Sequence, residues 1–404
     1  MAKIAKIECL QLRAPQSNSA DCDGTVDTAV IRVTADNGVY GLGETDAPPN
    51  AIAALLETPS AHIWSLSIRD LLLGENPHEV ERLWDKVYEG TIYHGRRGLG
   101  IMLMSAIDNA LHDLRGKLLG LPAYQLLGGA ARDHITPYLT LFPSMPQGRS
   151  WATMKNCCVA LMKQAVAAGY RAIKMEMLFY ELASDREMVN FIHECRQIAG
   201  EDREFMIDVG YRWKNSNDAL WVLRNVEDAR LLFVETPLHT DDLDGLARLA
   251  DGTTTPVAAG EFLQTRHEFR ELMDRGHCDV IQPDLGRARP DRSSPMRPHG
   301  CGARYLLYST CLEDRSDGGR DPSLRRRRAK LPPYRVLPPG FLPVLSAVEA
   351  GRSGGGSARR AMDLAKKAGV GHRHERRRGE AVPRPAAHDH RVTACCLLQN
   401  ANNA

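Results

Sequence analysis

Three acidic residues, Asp208, Glu235 and Glu261, stand 27 and 26 positions apart, and each closes a short β-prone run: Met206-Ile207-Asp208, Phe233-Val234-Glu235 and Ala259-Gly260-Glu261. That interval is one strand plus one helix of a parallel βα repeat. In a closed barrel of such units the strand ends meet on one face, so the three carboxylates are expected to converge. Carboxylates held that close repel one another and resist ionisation. A hard divalent cation relieves the conflict, and Mg²⁺, which takes few protein carboxylates, leaves positions for substrate oxygens. Capping of the next helix or pairing with an arginine accounts for any one of these acids, but poorly for the regular spacing of all three.

Two more strand ends carry reactive groups. In Lys174-Met175-Glu176 the alternation of a strand sends Lys174 and Glu176 to the same face, and Ile281-Gln282-Pro283-Asp284 supplies Asp284. A lysine beside a metal-bound carboxylate is a candidate base or electrostatic stabiliser, with burial and the nearby cation expected to lower its pKa.

The elements that must position these residues are legible as periodicities. Residues 5–12 and 28–34 are β-prone, and Asp36-Asn37-Gly38 is a turn set, so the chain is expected to open with a small antiparallel sheet. Helical stripes follow: Val80, Leu83, Trp84 and Val87, then Met104, Ile107, Leu111 and Leu114, ending near Gly120-Leu121-Pro122. Strand-like runs then appear at 135–141, 172–177, 205–209, 231–235, 257–261 and 279–285. Amphipathic stretches at 152–168, 185–198, 218–226, 242–249 and 266–275 separate them. Six such units in a row favour a (β/α) barrel over an open sheet.

The composition is globular, with 404 residues, 43% hydrophobic, 25% charged and a net charge of +2. That balance conceals two unlike segments. Residues 288–404 hold 23 Lys and Arg against 10 Asp and Glu, a net of +13, which leaves residues 1–287 at −11. The basic segment has four aromatics, no Trp, no Ile and runs of arginine at 325–328 and 376–378. It cannot bury enough apolar surface to offset its ordering entropy, and an irregular conformation is expected. Its histidines lack metal-site spacing and its few aromatics offer no stacking platform, so no specific nucleic-acid partner is expected. The ten cysteines make no CxxC or zinc-knuckle pattern and read as reduced thiols. No apolar stretch reaches the length of a membrane span, and residues 1–4 lead directly into a strand pattern, so a cytoplasmic protein without membrane contact is expected.

The stretch Met104-Ser105-Ala106-Ile107-Asp108-Asn109-Ala110-Leu111-His112-Asp113-Leu114, followed by Gly116-Lys117, Pro122 and Leu126-Leu127-Gly128-Gly129, resembles the mandelate racemase/muconate lactonizing branch of the enolase superfamily. The Asp208, Glu235, Glu261 triplet and Asp284 fall in order with it, and the resemblance covers residues 1–287. It implies an α/β architecture: an α+β capping domain at 1–130, then a (β/α)₇β TIM-like barrel whose first six units occupy 131–287, incomplete as written. It further implies one Mg²⁺ on Asp208, Glu235 and Glu261, with Asp284 as the acid of an Asp-His dyad. The reaction implied is abstraction of a proton α to the carboxylate of a small substrate, giving an enediolate. Cap loops at 16–24 and 93–98 would set specificity, and a homo-oligomer is implied. Dehydration of a sugar acid is the expected reaction, with a cycloisomerase or epimerase as the alternative. An inactive scaffold with a nucleic-acid-binding tail is the remote one.

Two departures bear on mechanism. Glu176 stands where the resemblance places a second lysine, the base for one face of the substrate, which disfavours two-base racemisation and leaves Lys174 as an electrostatic partner. The histidine expected to pair with Asp284 is absent, since His299 follows by only 15 residues within the Pro-Arg segment. Codons allowed for residues 308–314, read one base later, spell Ile-Pro-His-Ala-Trp-Lys-Thr, which places a histidine 26 residues past Asp284. The same shift turns 289–297, 330–339 and 372–382 into helix-like and strand-like segments. An out-of-frame translation over 288–404 is therefore expected.

Overall fold

The computed structural model describes residues 2–13, 27–127, 129, 138–143, 150–288 and the backbone of 306–307. The cap loop at 16–24, the start of the 135–141 run and His299 lie outside the described residues.

Strands β1 (Ile4–Arg13), β2 (Asp27–Ala35) and β3 (Tyr40–Thr45) form an antiparallel sheet in the order β1-β2-β3. The hairpin between β2 and β3 turns where expected. Gly38 adopts φ +82°, and the Asn37 side chain accepts the Val39 N–H at 3.1 Å. Helices α1 (Pro49–Glu57), α2 (Ile68–Leu72), α3 (Val80–Gly90) and α4 (Leu99–Leu119) follow. α4 ends at Gly120 in the left-handed conformation that closes helices, before the short α5 (Ala123–Leu126). Ile31 and Val33 from the sheet and Leu83, Ile107 and Leu111 from the helices share one core, so the two expected helical stripes are the inward ones.

The second sheet is parallel, with strands β4 (Leu139–Leu141), β5 (Ala172–Glu176), β6 (Glu204–Asp208), β7 (Val234–Glu235), β8 (Val257–Ala259), β9 (Val280–Ile281) and β10 (Leu306–Leu307) in sequential order. Helices α6 (Trp151–Ala167), α7 (Asp185–Ala199), α8 (Ser216–Arg224), α9 (Leu243–Gly252) and α10 (Arg266–Asp274) connect β4 to β9. Their starts are written locally. Ser184 with Glu187 and Thr265 with Glu268 form reciprocal capping boxes, and Asn215 accepts from two N–H groups of α8. The sheet has two apolar faces. Ile173, Met175, Ile207, Val234 and Val257 pack with the helices, while Ala172, Met206, Phe233, Ala258 and Val280 pack with one another, as the inner face of a curled sheet does.

The structure corrects the expected boundaries in one direction. Of the runs at 231–235 and 279–285, the ladder keeps Val234–Glu235 and Val280–Ile281, while Leu232, Asp279 and Gln282 still donate backbone bonds to the neighbouring strands. The segment after residue 287, expected to be irregular, contributes a strand: Leu306 pairs parallel with Val280 and Leu307 with Ile281.

The close seat of α4 on β3 depends on two glycines. A Cβ at Gly41 would sit 2.0 Å from the Ala110 carbonyl oxygen, and one at Gly43 2.0 Å from that of Ala106. Both obstacles are backbone and cannot rotate away. Gly43→Ala is expected to force β3 off the helix and lower stability by about 3 kcal/mol, at the upper end of overpacking effects, read as a fall in the thermal unfolding midpoint.

Candidate active site

The β5–β6–β7 register builds the centre of the site. Glu176 lies opposite Asp208, and Asp208 opposite Glu235, so three carboxylates form one row across three strands. Lys174 is one inward-facing step below. Its ammonium lies 2.8 Å from Glu235 Oε2, 3.2 Å from Asp208 Oδ2 and 3.7 Å from Glu176 Oε1. All four residues are buried. The Tyr138 ring, 5.8 Å from Lys174 Nζ, faces the ammonium from the β4 side.

Glu261, beyond its strand, is electrostatically coupled to this row, and Asp284 to Glu261. On β8 the inward position is Ala258, so strict alternation would bring Gly260 rather than Glu261 to the inner face. Gly260, at φ +113°, breaks the alternation and gives Glu261 a different direction. Burial first, and the Asp208 charge second, raise the pKa of Glu261. On β9 the alternation continues through Val280, Gln282 and Asp284. The Asp284 carboxylate accepts the Gly286 N–H at 2.7 Å, and burial holds its pKa above the usual range against that bond and the nearby Arg287. Among the described residues no histidine is bonded to Asp284.

Burial and carboxylate repulsion dominate the electrostatics. Desolvation, then Asp208, pushes Glu176 up to about 9. Desolvation likewise lifts Glu235 to about 7, with Lys174 opposing it. The Lys174 pKa, expected to fall through burial and a nearby cation, is raised by the carboxylates around it. Its burial does act downward, but Glu235, Asp208 and Glu176 together hold it well above the ordinary value.

The capping sheet closes over this face through Arg287. Its guanidinium pairs with Asp46, just beyond β3, including a 3.0 Å bond from Nε. It also donates to the Glu261 carbonyl at 3.1 Å and lies 4.5 Å from the Phe262 ring centroid. The Gly98 N–H, at the end of the expected 93–98 loop, donates to the Gln264 side chain. A cavity of about 820 Å³ lies elsewhere, between α3, α4 and the start of α10. It holds none of the six strand-end residues, so charge and register rather than volume locate the chemistry.

The donor chemistry fits a hard divalent cation, since the row is made of carboxylate oxygens alone. Among the described residues no three carboxylate, imidazole or thiol groups stand in a ready coordination shell. The carboxylates of Asp208 and Glu235 are instead drawn onto Lys174, and side-chain rotation would release them.

A family model described as "Mandelate racemase / muconate lactonizing enzyme, N-terminal domain" matches residues 3–128, and one described as "Enolase C-terminal domain-like" matches 158–289. The chain belongs to the mandelate racemase/muconate lactonizing enzyme family. Within the enolase superfamily it is similar to D-galactonate dehydratase of Ralstonia nicotianae, 33% identical over 64% of this chain and 64% of that one. It is also similar to arabinonate dehydratase of Saccharolobus solfataricus, 34% identical over 64% and 65% of the two chains. The similarity thus spans less than two thirds of these relatives' length. Among solved structures, the 3,6-anhydro-D-galactonate cycloisomerase of Zobellia galactanivorans superposes with a TM-score of 0.60 at 27% identity, over 70% of this chain and 73% of that one.

Sequence reasoning missed Tyr138, Gln282, Asp46 and Arg287. Gln282 had a signal, being in phase with Asp284 on the same strand, whereas the Asp46–Arg287 pair spans 241 positions with no periodicity to announce it.

Raised carboxyl pKa values carry a sign for stability. A group that binds its proton more tightly when folded contributes stability below its unfolded pKa, and loses it as pH rises through the folded value. In chelator, the protein is expected to lose stability between about pH 4.5 and about pH 9, the window spanned by Glu176 and Glu235. Glu176→Gln should flatten the upper part of that fall in urea titrations made across pH; an unchanged slope would remove Glu176 as its source.

Proposed function

We propose that this protein belongs to the Mg²⁺-dependent branch of the family's chemistry and dehydrates a sugar acid, starting with abstraction of the proton α to its carboxylate. The observation that carries this reading is the row of Glu176, Asp208 and Glu235 around one buried ammonium, with Glu261 and Asp284 electrostatically coupled at its edge. Asp208, Glu235 and Glu261 would hold the cation. When bound, it supplies fixed positive charge against the negative charge that develops on the substrate's carboxylate oxygens. Lys174, kept protonated by its neighbours, adds a second positive charge beside those oxygens. Asp284 presents a carboxylate, anchored on the Gly286 N–H, to orient a basic partner. Similarity to two sugar-acid dehydratases supports the substrate class.

The cycloisomerase neighbour favours isomerisation as the second reading. Assays on galactonate and arabinonate for a 2-keto-3-deoxy product, run beside solvent deuterium exchange, separate the two. Exchange without dehydration would select the isomerase.

The same proposal divides the chain into a capping domain at 1–130, barrel units at 131–287 and an out-of-frame segment at 288–404. The family match runs through residue 289, and the R. nicotianae relative is aligned over the same fraction of each chain. The two chains are therefore of similar length, and the family match on this chain stops close to where its composition changes. The 404-residue product is expected to lack turnover, and the gene restored by one base near the Arg287 codon to show it. In the restored enzyme Lys174→Met should lower turnover by about 10²–10³-fold, as for loss of one electrostatic group, while Glu176→Gln keeps measurable activity. Glu235→Gln or exhaustive chelation should abolish it. Activity from the 404-residue chain with an unaltered frame would overturn the frame assignment, and full turnover after chelation would overturn the metal.

A further inference from the structure

Gln282 is buried, 6% exposed, on the inner face of the barrel sheet, one step beyond Val280 and one before Asp284. Its backbone is fixed by the Gln282 N–H, which donates to the Ala259 carbonyl at 3.1 Å. Its side-chain amide comes near enough to the Glu235 carboxylate, two strands away, to draw that group's pKa down against burial. The strand between them presents Ala258 on the inner face, and a side chain of that size leaves the path open. The other end of the amide is unmatched: Gln282 Oε1 is buried and has no hydrogen-bond partner among the described residues. A buried acceptor left so is destabilising, and a bound water or ion is one way in which such an atom is satisfied.

We propose that Gln282 is a positioning residue for the divalent cation. Its Nε2 fixes one orientation of Glu235 against the pull of Lys174, and its Oε1 accepts a hydrogen bond from a water that arrives with the ion. Mg²⁺ dehydrates reluctantly and brings such waters with it. Outer partners of metal ligands act in this way, orienting the ligand and holding its charge where the ion needs it. The inference rests on the proposed Mg²⁺ site and adds to it a residue that touches neither substrate nor metal.

The test is calorimetric titration of the 404-residue chain with Mg²⁺ alone, for the unsubstituted protein, Gln282→Leu, Gln282→Met and Glu235→Gln. Far-UV circular dichroism and thermal unfolding in chelator serve as controls. Gln282→Leu is expected to weaken Mg²⁺ binding by about 10–100-fold, the usual effect of removing an outer partner. Its unfolding midpoint in chelator should be unchanged or higher, because an orphan acceptor has been removed. Gln282→Met, unbranched and of similar length, should behave alike and stands in if the leucine variant does not fold. A purely structural glutamine would give the reverse pattern, a lower midpoint with unaltered affinity, and that result overturns the proposal. Absence of Mg²⁺ binding both by the unsubstituted chain and by the chain restored near the Arg287 codon would instead defeat the metal site itself. Binding that is lost in Glu235→Gln but intact in both Gln282 variants would defeat this inference alone.

Discussion

Lys174 brings one positive charge to a place where Glu176, Asp208 and Glu235 offer three acids, all shielded from water. Taking these groups from solvent is costly, and their mutual attraction repays it only when geometry and proton count are right. The parallel register settles the geometry, setting Glu176, Asp208 and Glu235 at one level on adjacent strands. The proton count is settled by the groups themselves. Glu176 and Glu235 move toward their neutral forms, and the lysine stays charged. A divalent cation with Lys174 would supply enough positive charge for the acids to ionise together, so metal binding and carboxylate protonation would oppose one another at the proposed site.

The cap is fastened to that face by contacts that each need close approach. Gly41 and Gly43 let α4 lie against β3, and β3 then delivers Asp46 to Arg287 at the barrel mouth. Arg287 in turn holds the Glu261 carbonyl, so a residue of the cap and the backbone of a proposed ligand share one guanidinium. The Gly98–Gln264 bond adds a second tie between the 93–98 loop and the turn after β8. Cap geometry and ligand geometry are therefore coupled through two short paths, one of them charged.

Much of this was legible from the chain alone, for identifiable reasons. The spacing of 27 residues between Asp208 and Glu235 is one strand-to-strand step, which the register keeps, and inward alternation placed Lys174 beside Glu176. What was not legible depends on contacts between distant strands. The Lys174 pKa was expected to fall through burial and a nearby cation, whereas the upward pull of three carboxylates depends on the register that brings them near. The reach of Gln282 to Glu235 requires Ala258 to be small, and no periodicity encodes that. The redirection of Glu261 hangs on one positive φ at Gly260, visible only once the strand is seen to end at Ala259.

Glu176 bears on stereochemistry as well as on charge. Abstraction and return of a proton on opposite faces of a substrate requires a basic group on each face. β5 supplies one ammonium, and that ammonium is bound to Asp208 and Glu235. A lysine at position 176 would meet Lys174 with like charge, which lowers the pKa of at least one of them and makes a base. A glutamate does the opposite, reinforcing the charge on Lys174 and taking up a proton itself. In the proposed reaction the β5 side would stabilise negative charge on the substrate, and proton transfer would be left to the side where Asp284 stands. One-sided chemistry of this kind is compatible with removal of a β-hydroxyl by a single acid-base group and poorly suited to racemisation.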